Sequence, residues 1–347
     1  MTSGPGGRSF KLIGLILLGL ILTGMAGWAI LALYYFDKLS FGIRLGLAIG
    51  YAVVTLGALF AFTRQRWRWR AVVVSLLLFA EVLWAWSRLA PSNHRDWQPD
   101  VAVLPYAKIQ GDRVTVHNIR DFAYRSETDY TPRYYDRTYD LRKLKGVDLI
   151  AVYWMGPAIA HVFLSFEFED QDPLAISIET RKERGEAYST LAGFFRQYEL
   201  YYVVADERDV IRLRTNYRKD PPEDVYVYRL RGPLGNARRL FLQYMDKING
   251  LRQQAQWYNT LTTNCTTVIW MNTRLNPGHL PFSWKILASG YVPEYLYEAG
   301  RLDIALPFAE LQRRSLVNAR AQAADTAADF SRRIRAGLPG AGDAGQK

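Results

Sequence analysis

The chain has a single cysteine, Cys265, and only four histidines in 347 residues. One thiol excludes an internal disulfide framework. The histidines, at 94, 117, 161 and 279, are scattered, and none shares metal-ligand spacing with a cysteine, so no metal site is expected. No glycine-rich loop has phosphate-cradling spacing and no segment repeats, which excludes phosphate-loop chemistry and solenoid folds. No cofactor is therefore expected. Of the formal net charge of +11, part comes from arginines beside apolar runs, so the charge says little about a substrate. The cluster Arg64, Arg66, Arg68 and Arg70 lies between two such runs. That position fits the flank of a membrane span better than a nucleic-acid patch, and no nucleic-acid partner is expected.

Long apolar runs are abundant at the N-terminal end. Residues 12–36 are uncharged and long enough to cross a bilayer with some tilt. Runs at 45–62 and 71–89 follow, the last broken by Glu81 and Arg88. The first is too long for the core of a signal peptide and a second follows closely, so retention of all three as an anchor over residues 1–89 is expected. By the positive-inside rule, the N-terminus and the arginine loop are cytoplasmic. Three spans then place the rest of the chain outside the membrane. The expected partner is a lipid bilayer, with the C-terminal domain outside the membrane.

The remainder divides into a polar, proline-marked linker over residues 90–111, an α+β domain over 112–336 and a disordered tail over 337–347. Alternation predicts a strand over 112–121 with Val114 and Val116 inward and His117 structural or at the surface. Residues 125–144, rich in tyrosine and arginine, read as a solvated loop. Strands are predicted at 147–154, 158–168, 174–180 and 225–230, with short strands at 202–205 and 210–213. Helices are predicted at 183–201 and 237–256, the second with an apolar stripe of Leu240, Phe241, Tyr244, Met245 and Ile248. Loop and short helix are expected over 277–305, and a helical tail over 310–335.

The chemistry gathers at YNTLTTNCTTVIWMN, residues 258–272. Thr262, Thr263 and Asn264 are good N-cap residues, and Val268 to Met271 continues as a buried helix. Cys265 then lies in the first helical turn, where unpaired N–H groups and the helix dipole favour a thiolate. A lone cysteine is ordinarily a small packing residue. In an oxidising compartment an unpaired thiol is a liability unless it has a use. A use needs a base, and His161 is the best placed histidine. Period-two alternation sets it on one face of its strand with Phe163 and Ser165, while Ser177 and Glu179 share a face of the next strand. A carboxylate or hydroxyl beside an imidazole fixes its tautomer and lets it deprotonate a thiol.

The ordered motifs AHVFLSFEF, LAISIETRKERGEAYS, YYVVADERDVIRLR, YNTLTTNCTTVIW and VPEYLYEAGRLD resemble the Lnb N-terminal periplasmic domain family, from about Val114 through the tail. The resemblance implies a permuted papain-like fold, similar to the NlpC and lecithin:retinol acyltransferase type, with the histidine strand before the cysteine helix. It implies thiol chemistry at Cys265 and His161, with Glu179 or Ser177 as orienter and Asn264 or Tyr258 near the oxyanion. It further implies acyl transfer or ester and thioester chemistry on a lipoprotein or membrane lipid. The same residue pair would serve a cysteine peptidase or amidase acting on the cell envelope. A non-catalytic envelope protein is the third reading.

Overall fold

The computed structural model describes residues 5–340. They form two compact units: the chain up to Pro91 together with Ser189–Gln197, and Ser92–Tyr188 together with the chain from Tyr198 on.

The first unit contains the helices α1 (Pro5–Tyr34), α2 (Phe41–Thr63) and α3 (Arg68–Ser87). Each is long and apolar enough to cross a membrane. Within the unit, Leu22, Phe62, Ala71 and Val72 pack together, while Ile16, Leu20, Leu56 and Leu77 point outward, as lipid-facing side chains do. Residues 189–197 complete this unit. Phe195 stacks on Tyr35 and packs against Trp28, and Arg196 lies over Trp86 and donates to the carbonyls of Trp86 and Leu89 at the end of α3. A cation at a helix C-terminus satisfies carbonyls that have no helical partner.

The second unit is built on one eight-stranded sheet in the order β1-β2-β9-β8-β7-β6-β10, with β5 also paired to β2. Its strands are β1 (Tyr106–Gln110), β2 (Arg113–Arg120), β5 (Tyr134–Asp140), β6 (Leu144–Tyr153), β7 (Ala160–Phe168), β8 (Leu174–Arg181), β9 (Glu199–Asp206) and β10 (Asp224–Arg229). A separate ribbon pairs β3 (Ala123–Tyr124) with β4 (Tyr130–Thr131). Helices cover both faces. On one, Ile150, Val152, Phe163, Ala175, Val203 and Val227 meet α4 (Glu207–Arg212) and the C-terminal helices α10 (Asn318–Ala323) and α11 (Phe330–Ile334). On the other, Phe166 and Tyr202 meet Phe241 and Tyr244 of α5 (Leu234–Gln253). Every member of the predicted α5 stripe is buried.

Several predicted elements differ. The segment predicted as a helix over 183–201 turns instead. Gly185 adopts φ +84, residues 192–194 make one 3-10 turn, and the chain then enters β9. That strand is buried along its whole length, so between Glu199 and Asp206 its sequence is continuously apolar and carries no period to separate it from a helix. The strand predicted at 210–213 is helical because Asp206 caps α4, accepting from the Arg208 N–H. The tyrosine-rich loop is partly sheet, since β5 pairs with β2. The helical tail is three pieces, α9 (Phe308–Ser315), α10 and α11. Of the predicted disordered tail, Leu338 is buried in the core, and 341–347 lie outside the described residues.

One irregularity of the sheet positions the site. Strands β7 and β8 pair from Phe166↔Leu174 to Leu164↔Ile176 and no further. Yet β7 continues alongside β6 to Ala160, and β8 continues alongside β9 to Arg181. The two strands part, and a slot opens between their ends.

Candidate active site

The slot is filled by side chains. Carrying the Leu164↔Ile176 register onward would set His161 opposite Glu179, and those residues do meet. His161 Nε2 is 2.6 Å from Ser177 Oγ and 3.2 Å from Glu179 Oε1. Ser177 donates to Glu179 at 2.9 Å, so its oxygen accepts from an Nε2–H. Both Ser177 and Glu179 thus contact the same ring nitrogen. Glu179 is held in turn by Arg214 at 3.2 Å, and Arg214 by the nearly buried Glu223.

From the other face of the sheet comes α6 (Cys265–Thr273), which packs against β7 and β8. The helix starts where it does because Asn264 is its N-cap. The Asn264 Oδ1 accepts from the N–H groups of Thr266 and Thr267, and the Thr267 hydroxyl accepts from the Asn264 N–H, which closes a reciprocal capping box. Cys265 is thereby the first helical residue. Its half-buried thiol lies within interaction reach of the His161 side chain and of the Val162 backbone N–H.

The electrostatics of the pair follow from this arrangement. Burial by itself would lower the His161 pKa and Arg214 acts the same way, but the Glu179 carboxylate and the bonds to Cys265 and Glu179 outweigh them, raising it to about 9. Burial would raise the Cys265 pKa, yet the hydrogen bond and charge of His161, with the Val162 N–H, hold it below the ordinary thiol value. Burial would likewise raise Glu179, and the His161 and Arg214 charges keep it well below the usual carboxylate range. Both shifts run in the direction of a thiolate–imidazolium pair.

The remaining predicted residues divide. Tyr258 is buried, and its phenol is kept protonated by burial first and then by Cys265 and a hydrogen bond with Tyr188. Asn264 is occupied as a cap, its Nδ2 donating to the Thr260 carbonyl at 2.6 Å. Its side chain therefore supports the helix start instead of offering a free donor, and the Cys265 N–H is the donor the cap exposes. His117 stacks on Tyr106 and bonds Asp136, a structural role. Two residues had no clear signal in the sequence. Arg214 follows α4 in a π-type turn, just past the strand predicted at 210–213. Tyr244 sits in the apolar stripe of α5, within electrostatic reach of Cys265, and its buried hydroxyl has no hydrogen-bond partner among the described residues. A tyrosine in such a stripe is the one hint a sequence offers, because its hydroxyl needs a partner. Among the described residues no cluster of His, Cys, Asp or Glu could hold a metal ion.

Residues 130–290 match the Lnb N-terminal periplasmic domain family. The matched segment is narrower than the sequence motifs suggested, yet it contains Cys265, His161, Ser177, Glu179, Asn264 and Tyr258. No curated protein and no solved structure matches the chain. The Lnb-type segment thus runs from β4 to the turn before α8 (Val292–Glu298) and holds both strands of the slot and the cysteine helix.

The role of Glu179 is directly testable. In Glu179→Gln the charge that offsets burial is gone while Arg214 remains. The His161 ring titration, followed by NMR, is expected to move from about 9 to below its ordinary 6.5. A titration that stays near its original midpoint would mean that Glu179 does not set it.

Proposed function

We propose that this chain is a membrane-anchored thiol enzyme that moves an acyl group from an ester of a membrane lipid or lipoprotein. The observation that carries the reading is the placing of Cys265 at a helix N-terminus within interaction reach of His161, whose ring meets Ser177 and Glu179. With Nε2 committed to Ser177 and Glu179, Nδ1 is the ring nitrogen left for the thiol proton. His161 holds that proton while the thiolate attacks the ester carbonyl carbon. The oxyanion gathers at the Cys265 N–H, near the buried Tyr258 phenol. His161 returns its proton to the departing alcohol, leaving an acyl-thioester. An amine or water then attacks the thioester, gives its proton to His161 and releases the thiolate. Cysteine nucleophile, acyltransferase and hydrolase chemistry all run through this intermediate.

The three apolar helices tether the domain to a bilayer, where lipid-tailed substrates are concentrated. The histidine strand preceding the cysteine helix fits a permuted papain-like fold of the NlpC type. The arginines between α2 and α3 favour an inner-membrane topology with the domain in the periplasm.

The test is a trapped intermediate. The full chain in detergent, incubated with a diacylated lipoprotein, is expected to carry one acyl-thioester on the Cys265 peptide by mass spectrometry. The adduct should be cleaved by hydroxylamine and absent in Cys265→Ala. Cleavage of peptidoglycan peptides by the same preparation, with no acyl adduct, would replace this reading with an envelope peptidase or amidase.

A further inference from the structure

The loops that lead to His161 and Cys265 hold large apolar side chains in the open. Met155 is 68%, Trp284 59%, Phe282 54% and Leu261 49% exposed, and Ile159 and Leu287 are exposed as well. Single exposed apolar residues are ordinary, but these six belong to one rim. The loop of Met155 and Ile159 runs directly into β7 and His161, and the turn of Leu261 into Asn264, whose Nδ2 bonds the Thr260 carbonyl. The short helix α7 (Trp284–Leu287) is tied to the cysteine helix, since the Thr266 hydroxyl donates to the Ile286 carbonyl at 2.6 Å. The turn after α7 is tied to the histidine strand. There the Ala160 N–H donates to Ser289 Oγ at 2.9 Å, and the Gly290 N–H to the Ala158 carbonyl at 3.0 Å. Any side chain at 290 would collide with the Pro157 carbonyl, so the approach of the two loops requires glycine. Phe282 completes the rim, edge-on to Trp270 of α6.

The rim also avoids charge. Residues 154–159 contain no Asp, Glu, Lys or Arg, and across 253–284 the only one is Arg274. Lys285 is answered within its own unit by Glu294 and Glu298.

We propose that this rim docks the second unit on the surface of a lipid bilayer, with its apolar side chains below the headgroups. Three observations select that occupant. The same chain carries three helices fit to cross a bilayer, so one is at hand. Tryptophan beside aliphatic side chains, as at Trp284 and Leu287, is the composition of segments that lie in the membrane interface. The charge that remains is a cation, Arg274, whose long stem lets the guanidinium reach phosphates while its carbons stay among lipid. The docking gives the thiol an orientation that a tether alone does not. It is independent of the chemistry the thiol performs.

The experiment uses the full chain carrying Cys265→Ala in liposomes of phosphatidylglycerol and phosphatidylethanolamine. One nitroxide at a time is attached to Met155→Cys, Leu261→Cys or Trp284→Cys. Arg332→Cys, on α11 against the opposite face of the sheet from α5, is the reference. At the three rim positions collisions with oxygen are expected to exceed those with a water-soluble nickel chelate, at a depth of about 5–10 Å, and the reference should show the reverse. Adding Leu287→Asp, at an exposed position, is expected to return the label at 155 to water, because a carboxylate is costly at that depth. Nickel access at 155, 261 and 284 equal to that at 332 would overturn the proposal. Protection from both reagents would also overturn it, by showing a protein partner or a second copy on the rim. An acyl-thioester on wild-type Cys265 with a water-exposed rim would overturn the docking and leave the enzyme reading intact. A lipid-exposed rim without that adduct would support the docking and count against the enzyme reading.

Discussion

Cys265→Ala is expected to lower acyl transfer by the full chain about a thousandfold or more, and His161→Ala to lower it comparably. In the proposed mechanism the two residues share one proton, so removing either disables the nucleophile. Each partner then loses support from the other: without His161 only the Val162 N–H opposes burial of the thiol, and without Cys265 the imidazole loses one of the contacts that raise it. For the same reason the double variant is expected to be no worse than the poorer single variant, because groups that act as a unit are strongly non-additive. Measured losses that multiply in the double variant would show two independent contributions and no pair. Cys265→Ser keeps a hydroxyl in place but replaces an acidic thiol with a weak acid, and it is expected to fall with the alanine variant.

The second large effect is on folding. Arg335, just past α11, reaches across the core side of the sheet to two carboxylates that are almost without solvent contact. Its guanidinium bonds Asp148 at 2.9 Å and Glu207 at 2.6 Å. Asp148 is 1% and Glu207 0% exposed. Arg229 also holds Asp148, at 2.8 Å, and the Ser165 hydroxyl donates to Glu207. Removing one member of such a group leaves a buried charge without its partner, at a cost of about 3–5 kcal/mol. For a unit of this size, Arg335→Ala is expected to lower the melting temperature in detergent by on the order of 10 °C.

The pH dependence of that loss has a definite sign. In the wild type Arg335 outweighs burial and holds Glu207 below its ordinary 4.5, so this stabilisation is present above that value and fades as pH falls. In the variant, burial acts without Arg335 and raises the Glu207 pKa, so the variant regains stability as pH falls. The gap between the two proteins should therefore narrow from pH 7 toward pH 5. A gap that widens would contradict the assignment.

What the sequence revealed depended on how local each cause was. The thiol helix was legible because its cap, Asn264, is adjacent to Cys265, and the face shared by His161, Ser177 and Glu179 follows from a two-residue period. The apolar stripe of α5 followed from helical spacing in the same way. The slot was not legible, because parting β7 from β8 is a property of the four strands β6 to β9 together. Arg214 was missed for a related reason. It lies 35 residues from the Glu179 it holds, in a turn with no periodic signal. Strand β9 was mistaken in part for helix because burial on both faces erased its alternation. Residues 189–197 belong with helices more than a hundred residues earlier, and nothing in their own composition says so.

The most direct measurement is the ultraviolet titration of the thiolate. Cys265 is the only cysteine, so the difference between wild type and Cys265→Ala reports that sulfur alone. Wild type is expected to titrate below the ordinary 9.0, and His161→Ala above it, since burial then acts without the imidazolium. A wild-type midpoint at or above the ordinary value, unmoved by His161→Ala, would contradict the claim that these two residues form a catalytic pair.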